Sequence, residues 1–285
     1  MGAEHPAPFY ATAVFLRCSL LTYQFGYARR SRLEKQPTDL RRLHRYMQGG
    51  TLIQQYWQQY LFGSPGHPTG LVITLWLTVV SVAFGFILAI PLAVARVSKN
   101  RWLSLPVWIY TYVIRGTPLY VQLLLIYTGI YSLDAVRATP VLNAFFRDAM
   151  NCTILAFMLN TAAYTTEIFA GAIKATTYGE IEAGRACGMS NFTLYRRIIL
   201  PSALRRALPA YSNEVILMLH ATTLASTATL PDILKVARSA SSDYYLPFVA
   251  YGIAAVLYLC ISFALIWIFR RAERRWLAYL RPVGG

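Results

Sequence analysis

Five polar side chains stand where an apolar chain can least accommodate them. Glu214 follows Asn213 within an apolar stretch near residues 208–228, and His220 lies two turns beyond on nearly the same helical face as Asn213. Glu167 is in the second half of the stretch 152–173, and Arg115 stands beside the Gly116-Thr117-Pro118 interruption of the stretch 103–133. An ionised group in hydrocarbon costs roughly 3 kcal/mol or more, so such residues are kept for pairing, for lining a polar path or for carrying a coupling ion. Glu214 is open to two readings, a place on a substrate path and a pair with a basic neighbour. Glu167 and Arg115 read first as structural pairs and second as path residues. Arg115 also adjoins a break whose freed backbone groups need a polar cavity or neighbour. His220 reads as an interhelical hydrogen-bond partner before it reads as a ligand.

The elements that must hold these residues follow from composition. Of 285 residues, 56% are hydrophobic and 14% charged, where a soluble domain carries about 25% charged residues. Too little charge is present to coat a water-facing surface. Five apolar runs approach or exceed the roughly 20 residues that span a bilayer: about 71–97, 103–133, 152–173, 208–228 and 246–269. Each is longer than a membrane-barrel strand and none alternates with period two, so helices are expected. The expected fold is an all-α integral membrane protein of five transmembrane helices, with a further cytoplasmic helical segment between spans three and four.

The chain carries 27 Lys plus Arg against 12 Asp plus Glu, a formal charge of +15. The location of the charges argues against a nucleic-acid partner. Fourteen Lys or Arg, counting Arg96 at the end of span one, fall between spans one and two, between three and four, and after span five, while the other connections hold four (Arg137, Arg147, Lys235, Arg238) beside four Asp. Basic residues are retained in the cytoplasm, so the C-terminus is expected inside and the start of span one outside. Residues 1–46 conflict with this pattern. They carry eight Lys or Arg that five spans would place outside, and they are expected to be a disordered basic extension or an artefact of the start site. Residues 47–70 have Leu52, Ile53, Tyr56, Trp57, Tyr60 and Leu61 at helical spacing, the pattern of an interfacial amphipathic segment. The five-span domain would then be 71–285. Cys18, Cys152, Cys187 and Cys260 form no CxxC pair, so neither a disulfide framework nor a metal site is expected.

The connection between spans three and four, residues 179–201, is too long and too patterned for a plain linker. Glu182-Ala183-Gly184 is followed by Gly188, then nine residues, then Ile198-Ile199-Leu200-Pro201. This spacing resembles the EAA motif, E-A-A-x3-G-x9-I-x-L-P, of permease subunits in ATP-binding-cassette importers. Gly184 departs from the motif's second Ala, which is expected to loosen the short helix. Gly188 permits a tight reversal, and Pro201 can begin the next helix. The resemblance extends to 115–123 (RGTPLYVQL), 160–173 (NTAAYTTEIFAGAI) and 208–226 (LPAYSNEVILMLHATTLAS). These look like polar amino-acid permeases, in particular the M-type subunits of histidine and lysine-arginine-ornithine importers. The resemblance covers about Met47 to the C-terminus and has no counterpart for 1–46. Many relatives have Lys where this chain has His220, so a role for that Lys does not carry over.

The resemblance implies a knob of two short helices seated in an ATPase groove, with Glu182, Ala183, Gly184, Gly188, Ile198, Leu200 and Pro201 as its ATPase-coupling residues. It implies as partners a pair of ATPase subunits, a periplasmic amino-acid-binding protein and a second permease, either a Q-type subunit or a second copy. It implies the bacterial inner membrane and import of polar or basic amino acids (histidine, arginine, lysine, ornithine). The dipeptide Gly-Lys does not occur, so there is no phosphate-binding P-loop and the energy must come from another chain. Neither H-E-x-x-H nor G-x-S-x-G occurs, and neither an enzyme nor a cofactor is expected. The alternative is a proton-coupled secondary transporter using Glu214 or Glu167, a scheme in which the EAA-like loop has no task.

Overall fold

The computed structural model describes residues 38–63 and 66–276, with side chains from residue 49. The described residues are helical throughout apart from short connections and one isolated bridge, Gly70 to Asp232. Helix α1 (Thr38–Leu61) runs across position 46, where a domain boundary was expected. Residues 1–37 of the expected extension, Cys18 and Arg281 lie outside the described residues. Two units divide at Gln54 and Gln55, the second holding everything that follows.

The first apolar run is α2 (Leu71–Val97), whose 27 residues rise about 40 Å, enough for a hydrocarbon layer of about 30 Å. The second run is broken. α3 (Arg101–Gly116) is capped by the Asn100 side chain, which accepts from the Trp102 N–H at 3.0 Å, and it stops two residues before Pro118. Thr117 is extended, as the ring of a following proline requires. α4 (Leu119–Leu124) then departs at 104° and continues through a π turn (Leu125–Gly129) and a 3-10 turn (Ile130–Ser132). The interruption expected at Gly116-Thr117-Pro118 within 103–133 is thus a sharp bend between two helices. Two short helices follow, α5 (Asp134–Ala138) and α6 (Pro140–Arg147).

α7 (Ala149–Lys174) starts at Asp148, whose side chain accepts from the Met150 N–H at 2.9 Å. It packs along α2 and buries Thr153, Thr161, Thr165, Thr166 and Asn160. Two of its hydroxyls return to their own helix, Thr153 to the Ala149 carbonyl at 2.8 Å and Thr166 to the Ala162 carbonyl at 2.6 Å. After α8 (Tyr178–Ala186), helical backbone runs without interruption from α9 (Asn191–Leu194) through a π turn (Tyr195–Ile199) into α10 (Leu200–Ala221) and a 3-10 segment (Thr222–Ala228). The fourth long helix thus begins well before the expected residue 208, because its first turns belong to the loop. α11 (Ile233–Tyr244) is capped by Asp232, and α12 (Pro247–Trp276) closes the described chain.

α2 and α12 are each long and apolar enough to cross a bilayer alone, and the α3–α4 pair adds a third crossing if it counts as one span. α7 and α10 have 26 and 22 residues but carry more polar side chains, many of them turned inward. Apolar side chains such as Ile87, Phe248, Phe263 and Trp267 point outward, a surface matched to lipid and not to water.

Candidate functional site

The reversal between α8 and α9 is set by backbone hydrogen bonding. Gly188 adopts φ +71°. Its N–H reaches the Arg185 carbonyl at 2.9 Å, and the Met189 N–H reaches the Gly184 carbonyl at 3.1 Å. This is the Schellman arrangement that ends a helix with a left-handed residue. Ser190 restarts the chain, its hydroxyl accepting from the Thr193 N–H at 3.3 Å. Gly184 does more than the expected loosening. It is buried, and a Cβ there would approach Leu194 Cδ1 to 2.5 Å and Ile198 Cδ1 to 3.0 Å. The missing side chain lets the two arms close on each other.

The arms are held unequally. Leu194, Ile199, Ala203 and Ala207 join Ala89, Ala93, Phe169 and Ile173 in one apolar cluster, with Ile198 and Leu200 packed against it. Pro201 is half-buried at the start of α10. Arg206 ties this arm to the end of α7, donating to Thr176 Oγ1 at 2.7 Å. On the other arm Glu182, Ala183 and Arg185 are exposed, and Glu182 has no hydrogen bond or ion pair among the described residues. Phe192, 75% exposed, and Tyr178, 81% exposed, project from the same segment. Neither was singled out from sequence, although a large apolar residue in a polar loop is a legible signal.

Among the intramembrane residues, Glu167 is engaged. Arg96 Nε donates to its Oε1 at 2.8 Å and Thr111 Oγ1 to the same oxygen at 2.7 Å. Arg115 places its guanidinium 5.1 Å over the Tyr164 ring, and its charge acts through space on both Glu167 and Glu214. A cavity of about 360 Å³ lies between Arg96, Thr111 and Glu167 and the side chains of Trp108, Tyr112 and Arg115. The break at Pro118 is repaired by Gln122, whose amide donates to the carbonyls of Ile114 at 2.6 Å and Thr117 at 3.0 Å. Asn160 holds that amide from α7 at 3.1 Å. Sequence reading identified the need for a neighbour at the break but not Gln122 or Asn160.

Glu214 is 8% exposed and has no hydrogen-bond partner among the described residues. Asn213 is exposed beside it. His220 Nε2 lies 3.1 Å from Ser262 Oγ on α12, an interhelical contact of the kind expected. At the far end of α10 from the loop, outside the long helices, Asp232 is fully buried and accepts from the N–H groups of Leu234 at 3.3 Å and Lys235 at 2.9 Å. Burial pushes its carboxyl up to about 6, against the opposing pull of those N–H groups.

Residues 56–277 match the family described as the binding-protein-dependent transport system inner membrane component. The chain belongs to this family. It is a transport component and a multi-pass inner-membrane protein. The histidine/lysine/arginine/ornithine transport system permease protein HisM of Salmonella typhimurium is 62% identical over 229 residues, 80% of this chain and 97% of that protein. Its Escherichia coli K12 counterpart is 59% identical over 231 residues, 81% and 97% of the two chains. The nopaline transport system permease protein NocM of Agrobacterium fabrum is 44% identical over 213 residues, 74% and 88% of the two. A crystal structure of an amino acid ABC transporter with histidines superposes with a TM-score of 0.63 at 32% identity, covering 72% of this chain and 92% of that one. An inward-facing MetNI methionine ABC transporter, at 20% identity and TM-score 0.62 over 73% and 94% of the chains, shares the fold. For a member of the inner membrane component family, the reversal at Gly188 and the polar groups of α3, α7 and α10 are the two regions to explain.

Proposed function

We propose that this chain is the permease subunit of an ATP-binding-cassette importer of basic amino acids (histidine, lysine, arginine and ornithine), which couples ATP hydrolysis on a separate subunit to passage of the amino acid. The identity with HisM proteins over nearly their whole length carries the substrate class. The loop geometry supports the coupling role. One arm of the reversal is built into the same apolar cluster as α2 and α7, so a push on the exposed arm reaches the spans through packed side chains. Glu182, Ala183, Gly184, Gly188, Ile198, Leu200 and Pro201 are the coupling residues in this reading. Five crossings, a cytoplasmic C-terminus, a periplasmic start to the first span, a second permease (Q-type or a second copy) and a periplasmic binding protein complete it. Glu214, with Asn213 beside it, lines the path. Its carboxyl is buried without a hydrogen-bond partner among the described residues, with the Arg115 guanidinium acting on it through space, and this supports a place where a cationic ligand gains from the carboxylate. Glu167 and Arg115 shape the cavity nearer the loop, and His220 braces α10 against α12.

The test is reconstitution of the chain with its ATPase, second permease and binding protein in vesicles. Uptake of labelled arginine should require ATP and binding protein and should survive collapse of the proton gradient. Uptake driven by a proton gradient without the ATPase would overturn the reading in favour of a secondary transporter.

A further inference from the structure

The outward face of the last helix has no partner within the described chain. α12 has 30 residues, a rise of about 45 Å against a hydrocarbon layer of about 30 Å. Its last third therefore passes through the headgroup layer. Leading into that third and along it, one face reads Phe263, Ile266 and Trp267, then Arg270, Arg271, Arg274 and Arg275, at helical spacing. Phe263 is 61% and Trp267 64% exposed, and all four arginines are exposed. The helix buries Ala250, Ala254 and Ser262 on its other side. The Arg271 guanidinium stands 5.9 Å over the Trp267 ring, which places a cation at the depth where indoles mark the interface.

No carboxylate among the described residues neutralises these four charges. The one acidic neighbour on the helix, Glu273, accepts the Ser212 hydroxyl at 3.2 Å, and the ion pair in this part of the chain joins Arg96 to Glu167. Retention of basic residues in the cytoplasm explains positive charge at this end, and the helix dipole favours cations in the last turn. Neither explains why all four are arginine, nor why they continue a stripe that is apolar and aromatic at bilayer depth. Guanidinium forks grip phosphate oxygens bidentately, which ammonium groups do not.

We propose that this face is a binding site for an anionic phospholipid, with an acyl chain along Phe263, Ile266 and Trp267 and the phosphate between the rows Arg270/Arg274 and Arg271/Arg275. The site needs only that α12 crosses the bilayer, and it is independent of the substrate and orientation proposed above. Each arginine near an anionic headgroup contributes about fivefold in affinity.

The experiment places the assembled transporter in nanodiscs of phosphatidylcholine with a minor fraction of phosphatidylglycerol and counts retained lipids by native mass spectrometry. The unaltered protein should retain phosphatidylglycerol at least about tenfold in preference to phosphatidylcholine. Arg270→Gln/Arg274→Gln should reduce that preference by about tenfold or more. Arg270→Lys/Arg274→Lys, which preserves charge and therefore insertion, should lose a smaller part and keep normal thermal stability in phosphatidylcholine. Equal retention of both lipids by the unaltered protein overturns the proposal, as does full preference in the Gln variant. Release of the ATPase by the Gln variant with lipid retention unchanged would identify the face as a protein contact and overturn it too.

Discussion

The ion-paired, amide and imidazole side chains Glu167, Gln122 and His220 inside the helical bundle are matched within the chain, whereas the charges at the reversal around Gly188 are left to solvent. The buried hydroxyls of Ser81, Thr161 and Thr165 in the bundle have no hydrogen-bond partner among the described residues. Glu167 holds Arg96 and Thr111, Gln122 repairs the break at Pro118 with Asn160 behind it, and His220 meets Ser262. At the reversal Glu182, Arg185, Arg196 and Arg197 are exposed and make no ion pair among the described residues. The contrast is one of medium. In hydrocarbon an unmatched charge or amide costs several kcal/mol, so matching such groups there favours folding strongly. In water an unmatched charge costs nothing, and a row of them on a rigid knob is free for a partner. Glu214 is the intramembrane carboxylate that departs from its own region's rule, being buried without a hydrogen-bond partner among the described residues.

The comparison breaks first at the Arg96–Glu167 pair. Arg96→Ala removes the ion-pair partner of the carboxylate and leaves it the Thr111 hydroxyl alone as a hydrogen-bond donor. Loss of a fully buried partner costs about 3–5 kcal/mol, and the 19% and 24% side-chain exposures reduce this to about 2–3 kcal/mol. Thermal unfolding in detergent should show that loss, and Glu167→Gln added to Arg96→Ala should recover part of it. No recovery would mean the pair is not the reason for the loss.

Asp232 tests burial outside the spans. Its folded value of about 6 lies above the ordinary 3.8, so the folded chain keeps a proton that the unfolded chain releases. Stability is therefore full below pH 4 and declines as pH rises through 6, by on the order of 2 kcal/mol. Asp232→Asn keeps a capping side chain and should flatten that decline in unfolding curves between pH 4 and 7. An unchanged slope would assign the pH dependence to another group.

Gly188→Val forces a β-branched residue to φ +71° with open space around it, so strain alone acts, about 1–2 kcal/mol. Insertion should survive while ATPase retention and uptake fall. Gly188→Asn, which tolerates the left-handed region, should do less than half the damage. Equal effects of the two would point to a contact at this position and not to its backbone angle.

Glu214→Gln should leave thermal stability nearly unchanged and lower uptake of arginine or lysine about tenfold, in the range of a charge-assisted hydrogen bond of ~1.5 kcal/mol. The informative control is a neutral amino acid, whose residual transport should fall less; a uniform loss would return Glu214 to a structural role. The smallest effect belongs to Glu182→Ala. Its unfolding should shift by less than about 0.5 kcal/mol, as for surface positions generally, while affinity for the ATPase falls several-fold in pull-down titrations.

The apolar runs, the break at Pro118 and the reversal at Gly188 were legible in the sequence because each rests on local physics: hydrocarbon thickness sets run length, a proline excludes helix at the residue before it, and a left-handed turn selects glycine. The helical class and the position of the loop followed from those alone. Partner choice was not legible. Arg96 and Glu167 are 71 positions apart, and Arg96 had been counted only as a cytoplasmic charge. Gln122 looked like an ordinary polar residue until the 104° bend turned the Ile114 and Thr117 carbonyls toward it. Gly184 looked like a weakened motif until Leu194 and Ile198 were seen to occupy the space of its missing Cβ. Sequence determined where the chain is apolar, where it must break and where it must reverse, since those depend on neighbours within a few residues. Tertiary structure alone decided which polar groups are matched and which are left free, since that depends on side chains that only packing brings within 3 Å.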